Sequence, residues 1–406
     1  KMLYDNGQLL SLYAEAYQCS RLPLFKEVAI ETIGWLKREM ISPEGLFYAA
    51  LDADSEGVEG KFYVWSADEF EVLTEGDHQL LAKYYHVSEE GNWEEEQTNI
   101  LFRRVTDEEF AQKEGLALED LQMKVKMAKE KLLQHRSARV RPGLDDKCLT
   151  AWNAMMIKGL AESAGIFAEQ EYLELAKKAA QFILSDLRTE NGGLYRNYKN
   201  GKASIAGFLD DYAFFIDALI ALYQADFNEY WLLEAKKLTD LVLADFNDPH
   251  SPMLFYTSAS SEALIARKHE IMDNVIPSSN SAMAQNLHTL GLLFDEQSYL
   301  FKASAMLAAV KPQLKTYGSA YSNWAIQMLN EVFSTNEIAI AGNGFAEMVK
   351  ELNNNYIPNK ITIAGTNSSL PLLKDKQSIE TKIYICRNNA CQLPVNTVEE
   401  ALKLIN

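Results

Sequence analysis

Three segments of the chain are apolar or small on nearly every side. Residues 148–164, for example, contain only two charged side chains, Lys158 and Glu162. A helix with such a sequence has no face suited to water, so it must be covered all round. We therefore predict buried helices over 147–164, 209–225 and 279–294.

Two further segments lie between the buried ones and have one apolar and one polar face. Residues 170–188 and 228–246 show the apolar spacing of an amphipathic helix. Alternation of fully buried and half-buried helices is typical of a two-layer ring, in which inner helices face the centre and outer helices face water. The pattern predicts a mainly α protein with an (α/α) toroid of helical hairpins over 1–335, whose first hairpin is 3–17 with 22–41.

Polar residues at the starts of the buried segments support internal repetition. Asp145, Asp210 and Asn280 recur at intervals of about 70 residues, which one hairpin and a long loop would fill. Asp5 precedes Asp145 by about two such intervals. Loops that combine a turn signal with aromatic residues follow the outer helices. We expect them to form short hairpins along one rim, at 43–48, 191–196 and 251–256.

The pattern changes after about residue 336, where short β-like runs alternate with helices. Such alternation is typical of a small α/β unit. The turn at Gly342 and Gly344 resembles the start of a nucleotide fingerprint, but Glu347 stands at the third glycine position, which favours an ordinary strand-to-helix turn. We predict a separate unit over 336–406, with strands at 338–341, 360–364 and 382–386 and helices near 345–354 and 397–405.

Composition excludes several classes of protein. With 48% hydrophobic and 24% charged residues, the 406-residue chain has the balance of a globular protein. The net charge of -18 would repel nucleic acid and acidic membranes, and no apolar run is long enough to span a bilayer. Four cysteines are too few for a disulfide framework in a chain of this length, so we expect a reducing, cytoplasmic location. Because the chain opens in the middle of a helical pattern, we also expect that further sequence precedes it.

Two motifs that resemble metal sites lack the ligands such sites need. Asp52, Asp54 and Glu56 look like the start of an EF-hand loop, but the twelfth position is Tyr63 rather than glutamate. Cys386 and Cys391 have no second pair nearby to complete a zinc site, so we interpret them as ordinary thiols. We expect no metal and no cofactor.

Polar residues cluster at the expected starts of the inner helices and in the loops beside them. Asp, Asn and Ser are preferred N-caps, which is the simpler explanation for any one of them. A cap requires one residue, however, whereas adjacent carboxylates raise each other's pKa and are a costly choice for capping. The candidate catalytic residues are Asp145, Asp146, Asp210 and Asp211, and the candidate ligand-binding residues are Asp5, Asn6, Asp52, Asp54, Glu56, Trp65, Trp152, Asn153, Tyr212, Asp273, Asn274, Ser279 and Asn280.

Carboxylates together with aromatic rings indicate a small sugar-like ligand, because rings stack on the apolar faces of sugars and carboxylates bind hydroxyls. Glycoside hydrolysis requires two carboxyl groups, and Asp210 or Asp211 opposite Asp145 or Asp146 would supply them. Epimerisation or isomerisation requires a base, often histidine, and the residues near the proposed rim or inner helices are His250, His269 and His288. The sequence favours the carboxylates. Ordinary packing of the rings and capping by the acids remain the alternative.

Several motifs, in one order along the whole chain, resemble the family of spermatogenesis-associated protein 20 and its bacterial relatives. They are Lys1-Met-Leu-Tyr-Asp-Asn-Gly-Gln-Leu, Leu51-Asp-Ala-Asp-Ser-Glu-Gly, Glu59-Gly-Lys-Phe-Tyr-Val-Trp65, Arg141-Pro-Gly-Leu-Asp-Asp-Lys, Leu149-Thr-Ala-Trp-Asn153, Phe208-Leu-Asp-Asp-Tyr-Ala213, Pro277-Ser-Ser-Asn-Ser281 and Cys386-Arg-Asn-Asn-Ala-Cys-Gln-Leu-Pro-Val395.

The resemblance implies a thioredoxin-like module followed by a toroid similar to six-hairpin glycosidases and N-acylglucosamine 2-epimerases. The module and the start of the toroid would both lie upstream of Lys1, so we expect fewer than six hairpins in this chain. It would also be a partner within the same polypeptide. The resemblance therefore leaves two functions open: a carbohydrate-active or carbohydrate-binding protein, and a non-catalytic scaffold that presents a client or ligand to the thioredoxin-like module.

Overall fold

A computed structural model of the chain describes residues 1–93, 96–260, 266–374, 376, 380–388 and 390–405. The chain divides into two compact units. The first consists of Lys1 and Ala50–Asp145, and the second consists of Met2–Ala49 and Asp146–Asn406. The α/β segment after residue 336 belongs to the second unit together with helical hairpins. The domain boundary at 335/336 stays a prediction.

Helices dominate the described residues, as the sequence pattern predicts, and none of them is both long and apolar enough to cross a membrane. The helices, numbered along the chain, are α1 (Leu3–Ser20), α2 (Pro23–Glu39), α3 (Ala67–Leu73), α4 (His78–Tyr85), α5 (Asp107–Glu114), α6 (Leu118–Ser137), α7 (Thr150–Phe167), α8 (Gln170–Asp186), α9 (Leu209–Asp226), α10 (Glu229–Asp245), α11 (Ser279–Phe294), α12 (Gln297–Leu314), α13 (Ser322–Val332), α14 (Phe345–Leu352) and α15 (Val398–Ile405).

Strands are short before residue 336 and longer after it. They are β1 (Ala50–Leu51), β2 (Asp54–Ser55), β3 (Val58–Glu59), β4 (Leu144–Asp145), β5 (Cys148–Leu149), β6 (Tyr195–Lys199), β7 (Lys202–Ala206), β8 (Asn336–Ala341), β9 (Lys360–Gly365), β10 (Lys382–Arg387) and β11 (Ala390–Cys391).

The second unit contains the predicted helical hairpins. Helices α1, α7, α9 and α11 pack side by side in that order, and each packs against the helix that follows it in its hairpin, α2, α8, α10 and α12 respectively. Nearly every residue of α7 and α9 is buried, whereas α8 and α10 bury one face. The inner and outer layers of an (α/α) toroid are therefore confirmed. Within the described residues, this unit has four such hairpins, fewer than six.

Glycines allow two inner helices to approach closely. A Cβ atom on Gly7 of α1 would lie 2.9 Å from the backbone of Met155 in α7, and one on Gly159 of α7 would lie 2.7 Å from the carbonyl oxygen of Gly7. Both separations are shorter than a Cβ atom tolerates. The small residues at these two positions therefore set the distance between α1 and α7.

Each inner helix ends in the same way. A residue with left-handed backbone conformation follows it, and the N–H of that residue donates to the carbonyl four residues back. The four residues are Arg21, Ala168, Phe227 and Asp295, with φ between 53° and 61°. This recurrence confirms a structural repeat.

The loops after the outer helices form the predicted short hairpins. Isolated bridges close them between Ile41 and Phe47, between Arg188 and Leu194, and between Asn247 and Leu254. The residue that follows each outer helix also accepts a hydrogen bond, through its backbone carbonyl, from the part of the loop that returns. For example, the N–H of Tyr48 donates to the carbonyl of Met40. The three loops are equivalent parts of successive hairpins.

The α/β part of the second unit has a four-stranded sheet in the order β11-β10-β8-β9, in which β8 and β9 are parallel and β10 is antiparallel to β8. Its strands and helices match the predicted ones closely, and Ile338, Ile340, Ile383 and Ile385 form its core with α14 and α15. The interpretation of the two cysteines as ordinary thiols is wrong, because Cys386 and Cys391 form a disulfide across β10 and β11. Pairing of the two strands brings their Cα atoms to 3.9 Å.

The first unit has a core of its own, formed by α3 to α6 around residues such as Phe70 and Tyr84. Its most connected polar side chain is Arg139. The guanidinium donates twice to Glu69, at 2.7 Å each, and to the carbonyls of Phe62 and Val64. It also lies 4.1 Å from the ring centre of Trp65. These contacts tie the loop before α3 to the end of α6.

Candidate functional site

The first turn of α9 holds a pair of buried carboxylates and one arginine. Arg196, on β6, donates from Nη1 to both oxygens of Asp210, at 2.8 and 3.1 Å, and to Oδ2 of Asp211, at 2.9 Å. The backbone N–H of Phe208 donates to the same Oδ2 at 2.9 Å. Asp211 therefore satisfies an amide at the start of α9, which is the capping role that the sequence left open.

Asp211 also reaches the neighbouring inner helix. Its Oδ1 accepts from the backbone N–H of Ala151, in the first turn of α7, at 3.0 Å. Burial and the adjacent Asp210 carboxylate raise the pKa of Asp211 to about 8, against the lowering effect of Arg196. With three donors on its two oxygens and no exposed surface, Asp211 joins two helix ends and has no open face toward a ligand.

Aromatic rings lie beside the arginine. The guanidinium of Arg196 stands 4.9 Å from the ring centre of Phe208, and the rings of Phe208 and Tyr256 lie 5.2 Å apart. Burial, reinforced by the Asp210 carboxylate, raises the pKa of the Tyr256 hydroxyl, so this group stays protonated and can donate a hydrogen bond. The structure thus places one arginine, two carboxylates and two aromatic rings next to one another at the start of α9.

Three of the proposed ligand-binding residues hold the rim loops instead. Asn153 accepts from the N–H of Phe47 at 2.7 Å and donates to its carbonyl at 2.9 Å. Asn280 holds Leu254 in the same way, at 2.8 and 3.0 Å. The hydroxyl of Tyr212 accepts from the N–H of Leu194 at 2.9 Å. Each of the inner helices α7, α9 and α11 therefore binds the backbone of a rim loop that precedes it along the chain.

Asp273 and Ser279 lie around the start of α11. The carboxylate of Asp273 accepts from the N–H of Ser278 at 2.9 Å and from the N–H of Asn323 at 2.8 Å, so it fixes this helix end. The hydroxyl of Ser279 is buried without a hydrogen-bond partner, and its N–H donates to Glu270. Asn274 is exposed.

At the start of α1, the two predicted polar residues differ in their surroundings. Asp5 is exposed in the first turn, while the Asn6 amide donates to the carbonyl of Met2 at 2.7 Å. The ring of Trp152 packs edge-on against Tyr4, with centroids 4.8 Å apart. These contacts are those of a packed helix end.

The acid pair before α7 is divided between the two units. Asp145 ends β4 and pairs with Ala50 in the first unit. Asp146 belongs to the second unit, where its carboxylate forms an ion pair with Lys199 that lowers the pKa of Asp146. The two aspartates thus have different surroundings.

The remaining predicted residues all lie in the first unit, and they are Asp52, Asp54, Glu56 and Trp65. Asp54 and Glu59 are paired across β2 and β3, and Glu56 forms an ion pair of 2.8 Å with Lys61. Asp52 is exposed and accepts from the N–H of Asp54 at 3.4 Å. Trp65 is buried in the core of this unit.

Two histidines proposed as possible bases contact partners on the protein. The His269 ring stacks on Phe255 with 4.8 Å between centroids, and its Nε2 lies 3.1 Å from Asp248. His288 shares a hydrogen bond of 3.0 Å with the hydroxyl of Thr335, and burial lowers its pKa. His288 is thus held in the neutral form.

Sequence reasoning did not single out Arg196 or the charged residues on the inner helices. Arg196 ends the loop segment 191–196, and its position next to the aromatic residues of that loop was the available signal. Glu162 and Lys158 are the only charges in the buried stretch 148–164, which is itself a signal because such charges need partners. Lys158 pairs with Asp217 of α9 at 2.8 Å.

Comparison with known proteins confirms the resemblance to the spermatogenesis-associated protein 20 family. The chain is 30% identical over 455 residues to spermatogenesis-associated protein 20 of Homo sapiens, and this match covers the whole chain but 58% of the human protein. It is similarly 30% identical to the Rattus norvegicus protein, of which it covers 57%, and 28% identical to an uncharacterized protein of Caenorhabditis elegans, of which it covers 61%. No protein-family model matches the chain.

Solved structures that resemble the chain include three sugar-converting enzymes. A sugar epimerase from a ruminal bacterium is 12% identical with a TM-score of 0.47, covering 77% of this chain and 60% of that one. A cellobiose 2-epimerase from Spirochaeta thermophila is 11% identical with a TM-score of 0.48, covering 78% and 61%. A D-mannose isomerase is 13% identical with a TM-score of 0.40, covering 77% and 76%.

Proposed function

We propose that the second unit binds a sugar-like ligand at the rim formed by the N-terminal ends of its inner helices. The contacts would come from Arg196, Asp210, Phe208 and Tyr256. The observation that carries this proposal is the convergence of an arginine, a carboxylate and two adjacent rings at the start of α9. Charged groups bind sugar hydroxyls strongly, and rings pack on the apolar faces of sugars.

The side chains of the arginine and the two aspartates differ in solvent exposure, and we assign their roles accordingly. The side chain of Arg196 is 21% exposed, that of Asp210 is 6% exposed and that of Asp211 is 0% exposed. A ligand would therefore reach Arg196 and the edge of Asp210. Asp211 would act as a positioning residue, because its oxygens hold Ala151 and Phe208 while it orients the arginine.

Chemistry at this rim would be acid–base chemistry on the bound sugar, as in a glycoside hydrolase or an epimerase. Such reactions use two carboxyl groups whose pKa values are pushed apart. At the start of α9, burial raises the pKa of one carboxyl, that of Asp211. Asp210 would be the group that contacts the substrate. Asp146 would take part only after release from Lys199, with which it is paired.

The alternative is a non-catalytic scaffold that binds a client or ligand and works with an upstream thioredoxin-like module. One observation favours it: the oxygens of both Asp210 and Asp211 already accept from Arg196 or backbone amides. Carboxylates used in this way stabilise the rim without reacting.

A thermal-shift screen tests the proposal. The protein is mixed with mono- and disaccharides, among them mannose and cellobiose, because a ligand that binds only the folded state raises the melting temperature. Asp210→Asn and Arg196→Met should abolish the shift with a sugar that binds at the rim, whereas Glu174→Gln, a change on the exposed face of α8, should keep it. Chromatography of the incubated sugar then separates binding from turnover.

Absence of any shift with the wild-type protein would contradict sugar binding by this chain. A shift that survives Asp210→Asn and Arg196→Met would contradict the rim as its location. A shift without product would support binding and favour the scaffold.

A further inference from the structure

A polar cavity lies at the C-terminal ends of the inner helices, opposite the rim, within the second unit. It encloses about 330 Å³ and lies between the C-terminal halves of α1, α7, α9 and α11 and the segment that leads into β9. We call it the polar cavity. Its charged and polar lining includes Glu15, Glu162, His288, Tyr356, Asn359 and Lys360.

The polar cavity is bounded by two parts of the unit that are firmly joined. The side-chain amide of Gln224, in α9, donates to the carbonyl of Thr362 at 2.7 Å and accepts from its N–H at 2.8 Å, as a neighbouring strand would. Gln18, in α1, donates to the carbonyl of Asn353 at 2.7 Å. Because these bonds fix the walls, the space between them is a built feature of the unit.

Some residues that line the polar cavity carry polar atoms without hydrogen-bond partners. Oε2 of Glu162 and Nδ2 of Asn359 are buried without a hydrogen bond. Lys360 is half-buried, and its ammonium is attracted by Glu15, which raises the pKa of Lys360 against the larger lowering effect of burial. Buried polar groups are normally satisfied, so each such atom requires an explanation. Here one acceptor and one donor are left unsatisfied around one cavity.

The charges of the lining are close to balance near neutral pH. Burial raises the pKa of Glu162 to about 7, although Lys158 lowers it, and burial lowers the pKa of Lys360 to about 8. His288 is neutral for the reason given above. Glu15 is exposed at the edge of the polar cavity. A polyanion would meet Glu15 and the carbonyl ends of the inner helices, which attract cations and repel anions.

We propose that the polar cavity binds a neutral polyhydroxylated ligand of monosaccharide size, at a site separate from the rim. A hydroxyl group both donates and accepts, so a polyol can satisfy Glu162, Asn359 and Lys360 together, which no purely anionic or purely cationic ligand does. The volume lies at the small end of the range for ligand pockets. Apolar side chains such as Ile166 and Ile357 line the rest of the wall and suit the C–H faces of a sugar ring.

Binding at the polar cavity would connect the helical hairpins with the α/β sheet. Glu162 belongs to α7, whereas Asn359 and Lys360 precede and begin β9. A ligand that contacts both sides should slow amide exchange in β9 as well as raise the melting temperature.

The test measures melting temperature and hydrogen exchange of the whole chain with glucose, mannose, N-acetylglucosamine and sorbitol. A ligand at about 100 times its Kd should raise the melting temperature by roughly 3 to 6 °C and reduce exchange in β9. Lys360→Met and Glu162→Gln should each abolish the reduced exchange in β9, whereas a rise in melting temperature that comes from the rim should remain. Lys350→Met, which changes an exposed lysine of α14, is the matched control and should leave both unchanged.

Variants at each site distinguish binding at the polar cavity from binding at the rim. Asp210→Asn, at the rim, should leave the exchange effect in β9 intact. The proposal is overturned if none of the four compounds reduces exchange in β9, or if the reduction persists in Lys360→Met and Glu162→Gln. Lys360→Met removes the ammonium and Glu162→Gln replaces a carboxylate oxygen by an amide NH2 group, while both keep the packing volume, so we expect them to fold, and their circular dichroism spectra check this.

Discussion

The carboxylate of Asp211, in the first turn of α9, accepts a hydrogen bond of 3.0 Å from the backbone N–H of Ala151, in the first turn of α7. The N–H groups of the first turn of a helix have no partner within the helix. One buried side chain therefore satisfies an amide in each of two neighbouring inner helices, since it also accepts from Phe208. An acid at this position stabilises the packing of the hairpins.

Replacing Asp211 by alanine should destabilise the protein by about 3 kcal/mol, because the amides of Ala151 and Phe208 and the guanidinium of Arg196 would lose a buried partner. Guanidinium unfolding measures the change. The exposed control Glu174→Gln should alter stability by less than about 0.5 kcal/mol. If both variants change stability equally little, Asp211 does not join the two helices.

Asn153→Ala and Asn280→Ala should each release one rim loop. The Phe47 amide should exchange faster in the first variant and the Leu254 amide in the second, because each loses its acceptor. We expect a cost of about 2 kcal/mol for each, since the buried backbone groups remain unsatisfied. Hydrogen exchange with peptide resolution distinguishes the loops, and Gln181→Ala, on the surface of α8, is the control. If the Phe47 and Leu254 amides exchanged at the same rate in either variant, the two loops would not be held by separate asparagines.

Stability should fall as the pH rises from about 4 to about 8. Burial raises the pKa of Asp211 to about 8 and that of Glu162 to about 7, whereas both carboxyls lose their protons near pH 4 in the unfolded chain. Over this interval the folded protein binds more protons than the unfolded chain, so proton release favours unfolding as the pH increases.

Unfolding free energies at pH 5 and pH 8 measure this effect. Asp211→Asn and Glu162→Gln, combined, should flatten the profile between these values because neither amide titrates. Glu174→Gln should keep the wild-type slope. A slope that is unchanged in the double variant would mean that other groups produce it.

The disulfide between Cys386 and Cys391 predicts the outcome of thiol labelling. Unfolded but unreduced protein should react with two equivalents of iodoacetamide, at Cys19 and Cys148, and reduced protein with four. Because the loop between the bonded cysteines is short, reduction should lower stability by only about 2 kcal/mol. Four labels before reduction, counted by intact mass, would show that the bond does not form. Cys19→Ser, at an exposed position, should lower each count by one.

Much of the fold follows from local pattern. The buried helices at 147–164, 209–225 and 279–294 and the strands after residue 336 lie within a few residues of the predicted positions, because continuous apolar sequence and β-like runs reflect burial directly. The acid pair Asp210-Asp211 was also visible as an unusual feature of the sequence. Its partner Arg196 was not, since β6 brings it to α9 only in the folded chain.

The sequence by itself determined which segments are inner and outer helices, where the loops turn and where the strands after residue 336 lie, because periodicity and turn residues are local properties. Only the tertiary structure decided which polar side chains bind backbone and which keep an atom without a hydrogen-bond partner. Asn153 and Glu162 both look like polar residues on a buried helix, yet Asn153 holds Phe47 and Oε2 of Glu162 has no hydrogen-bond partner. That difference depends on which backbone the neighbouring hairpin or sheet brings within hydrogen-bond distance, and no local pattern encodes it.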